Sequence, residues 1–202
     1  MHAPPATADP RLHWRWLAVA VFAFGVAWAG WLGWNDPTPR LRHPAILNTA
    51  WVSFALWAGA VGLMLQAKPG EWTPAAARFR VTQWAWGLAA GMFVIHFLVA
   101  FHFAHRWRHA NAYEHVENTS RFGPGLFVSY FFTLLWSADA AWMVLGPASY
   151  TRRPRWLGWA VHGFLTFITV NGTAVFGHNP MRWVSVGVFA VLGWYLLLRW
   201  RK

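Results

Sequence analysis

Five of the ten His of this chain fall in one stretch, HFLVAFHFAHRWRHANAYEH, as His96, His102, His105, His109 and His115. At helical periodicity, His105 and His109 lie within about 60° of His102, whereas His96 lies about 120° away. Three imidazoles thus form a ladder at i, i+3 and i+7. Spacings of i, i+3 or i, i+4 let one helix offer two imidazoles to a single metal ion. His43, His115 and His178, with Glu114, are expected at the same membrane face as the ladder. His102, His105, His109, His43, His115 and His178 are therefore the candidate ligands. Imidazole and carboxylate donors suit Zn, Cu or Fe. The chain has no Cys, so thiolate sites, disulfides and Cys nucleophiles are excluded.

Asp139 is the second chemical feature. It lies in LLWSADAAWMVL, the only acidic residue inside an expected membrane span. A carboxylate at that depth is expensive, which makes it a functional candidate by default. His162, on the next span, lies at similar depth, roughly 10 Å from the same edge at helical rise. The two are expected to face one another or share a polar pocket. His96, Asn171 and Thr173 are expected as buried polar groups, with Asn171 joining helices through a hydrogen bond. A bis-His haem needs two ligands at one depth on different helices. His96 and His162 differ by about 12 Å in height, so haem b ranks below a small metal site.

These residues need elements to hold them. Of 202 residues, 57% are hydrophobic and only 11% charged. That composition excludes disorder and leaves too little charge to cover a soluble surface. Six apolar runs, at about 14–34, 45–66, 81–104, 126–146, 156–177 and 182–199, approach the ~20 residues that cross a bilayer. The expected fold is all-α: one six-helix transmembrane domain over 13–202, preceded by a disordered cytosolic tail at 1–12. The connection at about 105–125 is the only one roomy enough for structure of its own. Gly87 and Gly91 give a GxxxG spacing that admits a neighbouring helix closely.

The net charge of +11 would suit a polyanion partner in a soluble protein. Here the basic residues punctuate apolar runs, and no nucleic-acid motif is present. Eleven of them fall on one side: Arg11, Arg15, Lys68, Arg78, Arg80, Arg152, Arg153, Arg155, Arg199, Arg201 and Lys202. Six fall on the other: Arg40, Arg42, Arg106, Arg108, Arg121 and Arg182. The positive-inside rule then places both termini in the cytoplasm. Many of the 18 Trp fall near expected helix ends, among them Trp72, Trp107, Trp156 and Trp183, as interfacial anchors do.

No GxSxG, phosphate loop, HExxH or dinucleotide fingerprint occurs. The run HFAHRWRHANAYEHVENTSRFGPGLFVSYFFTLLWSADAAW resembles a pattern in multi-spanning bacterial membrane proteins to which no activity is assigned. There too, spaced His precede a Gly-containing loop and a helix with an intramembrane Asp flanked by Trp. The resemblance covers about 100–180 and implies an all-helical membrane protein of the bacterial cell membrane, without a catalytic assignment. The leading expectation is a His-lined metal site at the outer face, supporting redox or hydrolytic chemistry. The alternatives are a non-enzymatic subunit or assembly factor of a membrane complex, a homo-oligomer, a small proton-coupled carrier using Asp139 and His162, and a b-type haem protein.

Overall fold

The computed structural model of the chain describes residues 20, 22–28, 31 and 43–200. The expected tail at 1–12 and most of the expected span at 14–34 lie outside them. Every regular element among the described residues is helical. In chain order these are α1 (Pro44–Gln66), a 3-10 turn (Pro69–Glu71), α2 (Ala77–Phe103), α3 (His109–Ser120), α4 (Gly125–Leu145), α5 (Pro147–Thr151), α6 (Arg155–Val170), a π turn (Asn171–Val175) and α7 (Met181–Trp200).

Four of these are long and apolar enough to cross a membrane: Pro44–Gln66, Ala77–Phe103, Gly125–Leu145 and Met181–Arg199. Their ends fall within a few residues of the expected spans. The run expected at 156–177 is split by backbone geometry. Its 16-residue α-helix gives way at Asn171 to a five-residue π turn. Large apolar side chains point outward along the bundle: Leu134 is 69% exposed, Leu145 84% and Trp159 60%. In the most apolar stretch of α7 only 6% of residues are buried. Water would penalise such surfaces, whereas lipid tails accept them. The chain is accordingly a multi-pass integral membrane protein.

Starts and stops follow from particular residues. Pro44 occupies the first turn of α1, where its missing N–H costs nothing, and His43 caps that helix by accepting the Ala45 N–H at its Nδ1 (3.2 Å). The α2 helix stops at Phe103, because the following turn takes Arg106 and Trp107 through positive φ (51° and 58°) before α3 restarts at His109. Two glycines are required by space. A Cβ at Gly123 would sit 2.4 Å from the Tyr113 ring, and one at Gly177 would sit 1.8 Å from the Thr173 carbonyl oxygen. The first closes α3 onto α4. The second turns the chain from the π turn into the hairpin that leads to α7.

The core lies between α1, α2, α4 and α6, with Phe54, Trp57, Trp86, Trp136, Met143 and Leu165 at its centre. The α1 and α2 helices pack along most of their length, and α4 lies on the other face of α2. A Cβ at Gly87 would meet Val144 of α4 at 3.4 Å, and one at Gly91 would meet the Phe22 ring at 3.7 Å. The GxxxG face is thus occupied within the chain. Trp107, Trp156 and Trp183 lie 60–69% exposed at helix ends, whereas Trp72 packs edge-on against Phe79.

Overpacking of a tight helix contact costs about 1–3 kcal/mol. Gly87→Ile should therefore lower the thermal midpoint of the detergent-solubilised protein, while Gly91→Ala leaves it close to wild type. Static light scattering or fluorescence melting checks both. Equal behaviour of the two variants would contradict this packing.

Candidate functional site

Two polar clusters stand at opposite ends of the bundle. The first gathers at the end that carries α5. Asp139 lies on α4, two turns before that helix ends, and only 3% of its side chain is exposed. A bare carboxylate there would lose its hydration without replacement. Three donors replace it. Arg153 Nη1 donates to Oδ1 at 2.5 Å, while the Trp86 indole and the Tyr150 hydroxyl donate to Oδ2 at 2.9 and 3.0 Å.

The network continues to His162 on α6. Arg153 Nη2 donates to His162 Nε2 at 2.9 Å, so that nitrogen carries no proton and the ring is the Nδ1–H tautomer. The Trp86 and His162 rings lie 5.0 Å apart. Asp139 and His162 therefore share one polar pocket, bridged by a guanidinium. Tyr150 closes the arrangement: its ring lies under the guanidinium, 3.9 Å from Cζ. Burial, and then the Asp139 charge, push the Tyr150 phenol well above its ordinary pKa, so it stays a donor.

Arg153 and Tyr150 are the members of this network that the sequence does not announce. Arg153 reads as one more positive charge setting orientation, yet it turns inward with only 9% of its side chain exposed. Trp86 also hides among eighteen Trp. Its hydrogen bond separates it from Trp57 and Trp136, whose buried indole N–H groups have no partner.

The second cluster lies at the α3 end. The His ladder does not persist there, because the helix that would carry it stops at Phe103. Its three members part company. His102 accepts the Trp107 indole N–H at 3.1 Å, and His109 Nδ1 is hydrogen-bonded to the Tyr130 hydroxyl at 2.9 Å. His105 turns toward His115 of α3, with ring centres 5.6 Å apart. His43 is a buried helix cap stacked on Phe103 at 4.0 Å. Glu114 is exposed. Among the described residues no group of three or more His, Asp or Glu stands close enough to hold a metal ion.

What remains is a pair with a neighbour. Burial, and then the charge of His115, lower the His105 pKa below the ordinary imidazole value of 6.5. Burial, and then the charge of His178, lower that of His115. His178 is delivered by the hairpin after the π turn. With Gly177, Asn179 and Arg182 it lines an open recess of about 340 Å³.

Of the other polar residues, His96 joins two helices, whereas Asn171 and Thr173 serve their own. His96 Nδ1 reaches the Ile46 carbonyl (3.2 Å) and the Thr49 hydroxyl (3.1 Å) of α1. Asn171 was expected to join two helices; instead its amide donates to the Phe167 carbonyl one turn back, at 2.7 Å. Thr173 does the same to Thr169. Both are only partly buried. A side chain that can satisfy itself on the preceding turn needs no partner helix.

Removing one partner of a buried ion pair leaves the other charge uncompensated, at a cost of about 3–5 kcal/mol. Asp139→Asn and Arg153→Leu should each strongly lower the thermal midpoint, and the double variant should lose less than their sum. Additive losses would contradict the pairing. The His105–His115 contact makes stability depend on pH. Its folded pKa values are depressed, so its contribution is full above the unfolded value of 6.5 and is lost as pH falls through it. Thermal midpoints should drop from about pH 7 to about pH 5, and His105→Gln should flatten that slope.

No protein-family model matches the chain, and no curated protein or solved structure is significantly similar to it.

Proposed function

We propose that this chain is a six-span protein of a bacterial cytoplasmic membrane, with both ends in the cytoplasm, whose His105–His115 pair binds a late first-row transition ion at the outer face. Four spans are the helices described above. The π turn prolongs α6 to Val175, giving a fifth segment of sufficient length. The helical residues 22–28 belong to the sixth, at the chain's start. Positive charge supports the orientation. Lys68, Arg78, Arg80, Arg152 and Arg155 flank the α5 end, against Arg106, Arg108, Arg121 and Arg182 at the α3 end.

The observation that carries the metal reading is the His105–His115 separation. With Zn–N bonds of about 2.0–2.1 Å, two imidazoles on one tetrahedral ion have ring centres ~5 Å apart. The observed 5.6 Å is close to that. The two rings come from different elements, so the pair is a tertiary arrangement rather than a by-product of helical spacing. Their depressed pKa values keep them neutral, which is the ligating form. His178 lies close enough to His115 for its charge to act on that ring. Two protein ligands leave open positions for water or substrate, as in catalytic rather than structural sites. Such a metal would supply Lewis-acid or redox chemistry there.

Purified protein titrated with Cu(II) should show one saturating equivalent, with an electron paramagnetic resonance spectrum of nitrogen ligation. His105→Ala/His115→Ala should abolish it, whereas His102→Ala/His109→Ala should retain it. Binding that survives the first double variant, or is lost in the second alone, would overturn the assignment.

A further inference from the structure

The Arg153 guanidinium is held on every side by groups that recognise a planar organic cation. Asp139 supplies an anionic acceptor at 2.5 Å and His162 a neutral one at 2.9 Å. The Tyr150 ring covers one face at 3.9 Å, within the distance at which a cation is drawn to an aromatic quadrupole. Gly158 provides a flat wall: a Cβ there would lie 3.5 Å from Nη2 and 3.6 Å from Nε. Trp86 supports the cradle by fixing the carboxylate.

Most of the cradle and its occupant have different origins. Asp139, Trp86, His162 and Gly158 sit on the long helices α4, α2 and α6. Arg153 sits on the connector after the five-residue α5, between Arg152, which is exposed, and Pro154. A rigid cradle filled from a short connector is a site that the chain plugs itself. The occupant is tethered, so an exogenous cation competes with it only by displacing the connector.

We propose that Asp139, Tyr150, His162 and Gly158 form a binding site for guanidinium-type organic cations, held closed by Arg153 and opened when the 152–154 connector withdraws. Arg is the natural internal surrogate. Its charge is delocalised over a plane and weakly hydrated, so it enters and leaves a buried site more readily than an ammonium. The inference is independent of the metal reading, which concerns the other end of the bundle.

The test uses the whole protein in detergent, with two arms. In the first, Arg153→Ala is melted with increasing guanidinium chloride at concentrations well below denaturing. Equal NaCl and urea series serve as controls. A saturable rise of several degrees is expected in Arg153→Ala, absent from wild type and from Asp139→Asn/Arg153→Ala. If Arg153→Ala cannot be purified alone, it is prepared with guanidinium throughout. Monodisperse protein only under that condition supports the site; aggregation under both conditions overturns it. In the second arm, wild type is digested with trypsin in the presence of a long-chain alkylguanidine. Cleavage after Arg152 should accelerate several-fold as the connector is displaced. No saturable rise in the first arm overturns the cradle. A rise without acceleration in the second overturns its opening.

Discussion

One constraint organises this molecule: a carboxylate placed among apolar helices must have its charge and its lone pairs answered from within the chain. Asp139 meets it with donors from three other elements, Arg153 from the connector, Trp86 from α2 and Tyr150 from α5. The network therefore ties α2, α4, α5 and α6 together at one end of the bundle. Lipid gives no hydrophobic drive for one helix to seek another, so packing and interhelical polar contacts must fix the arrangement. Here the polar contacts lie at the α5 end, and the aromatic core of Trp86, Trp136 and Phe93 continues from them.

The opposite end is organised by backbone rather than by charge. The turn through Arg106 and Trp107 breaks what the His spacing suggests is one continuous face. It sends His102 to Trp107, His109 to Tyr130 and His105 to His115. The π turn and the tight approach of Gly177 to Thr173 then bring His178 to the same region from α6. What survives of a linear ladder is a tertiary pair with a third imidazole nearby.

Helix positions were legible in the sequence because hydrocarbon thickness imposes a length and a composition. Pro44 and the glycine-rich hairpins mark ends in ways that local chemistry dictates. The shared pocket of Asp139 and His162 was readable from depth counting alone, since depth is one coordinate that a helix preserves. The bridging Arg153 was not, because charge outside a span carries no sign of whether its side chain turns inward. Nor was the turn that parts the His ladder just beyond α2. HFAHRWRH has no Gly or Pro to announce a break, and non-glycine residues adopt the positive φ that ends the ladder. Asn171 and Thr173 look interhelical by depth, but a short polar side chain reaches its own preceding turn first.

The state of the Asp139 carboxylate is the most direct test of this account. Infrared difference spectroscopy of wild type against Asp139→Glu, in lipid nanodiscs at neutral pH, separates the symmetric and antisymmetric stretches of an ionised carboxylate from the carbonyl stretch of a protonated acid. The account predicts ionised bands for Asp139, shifted by strong donors and moving with Arg153 substitution. A protonated carbonyl stretch at that position would contradict it.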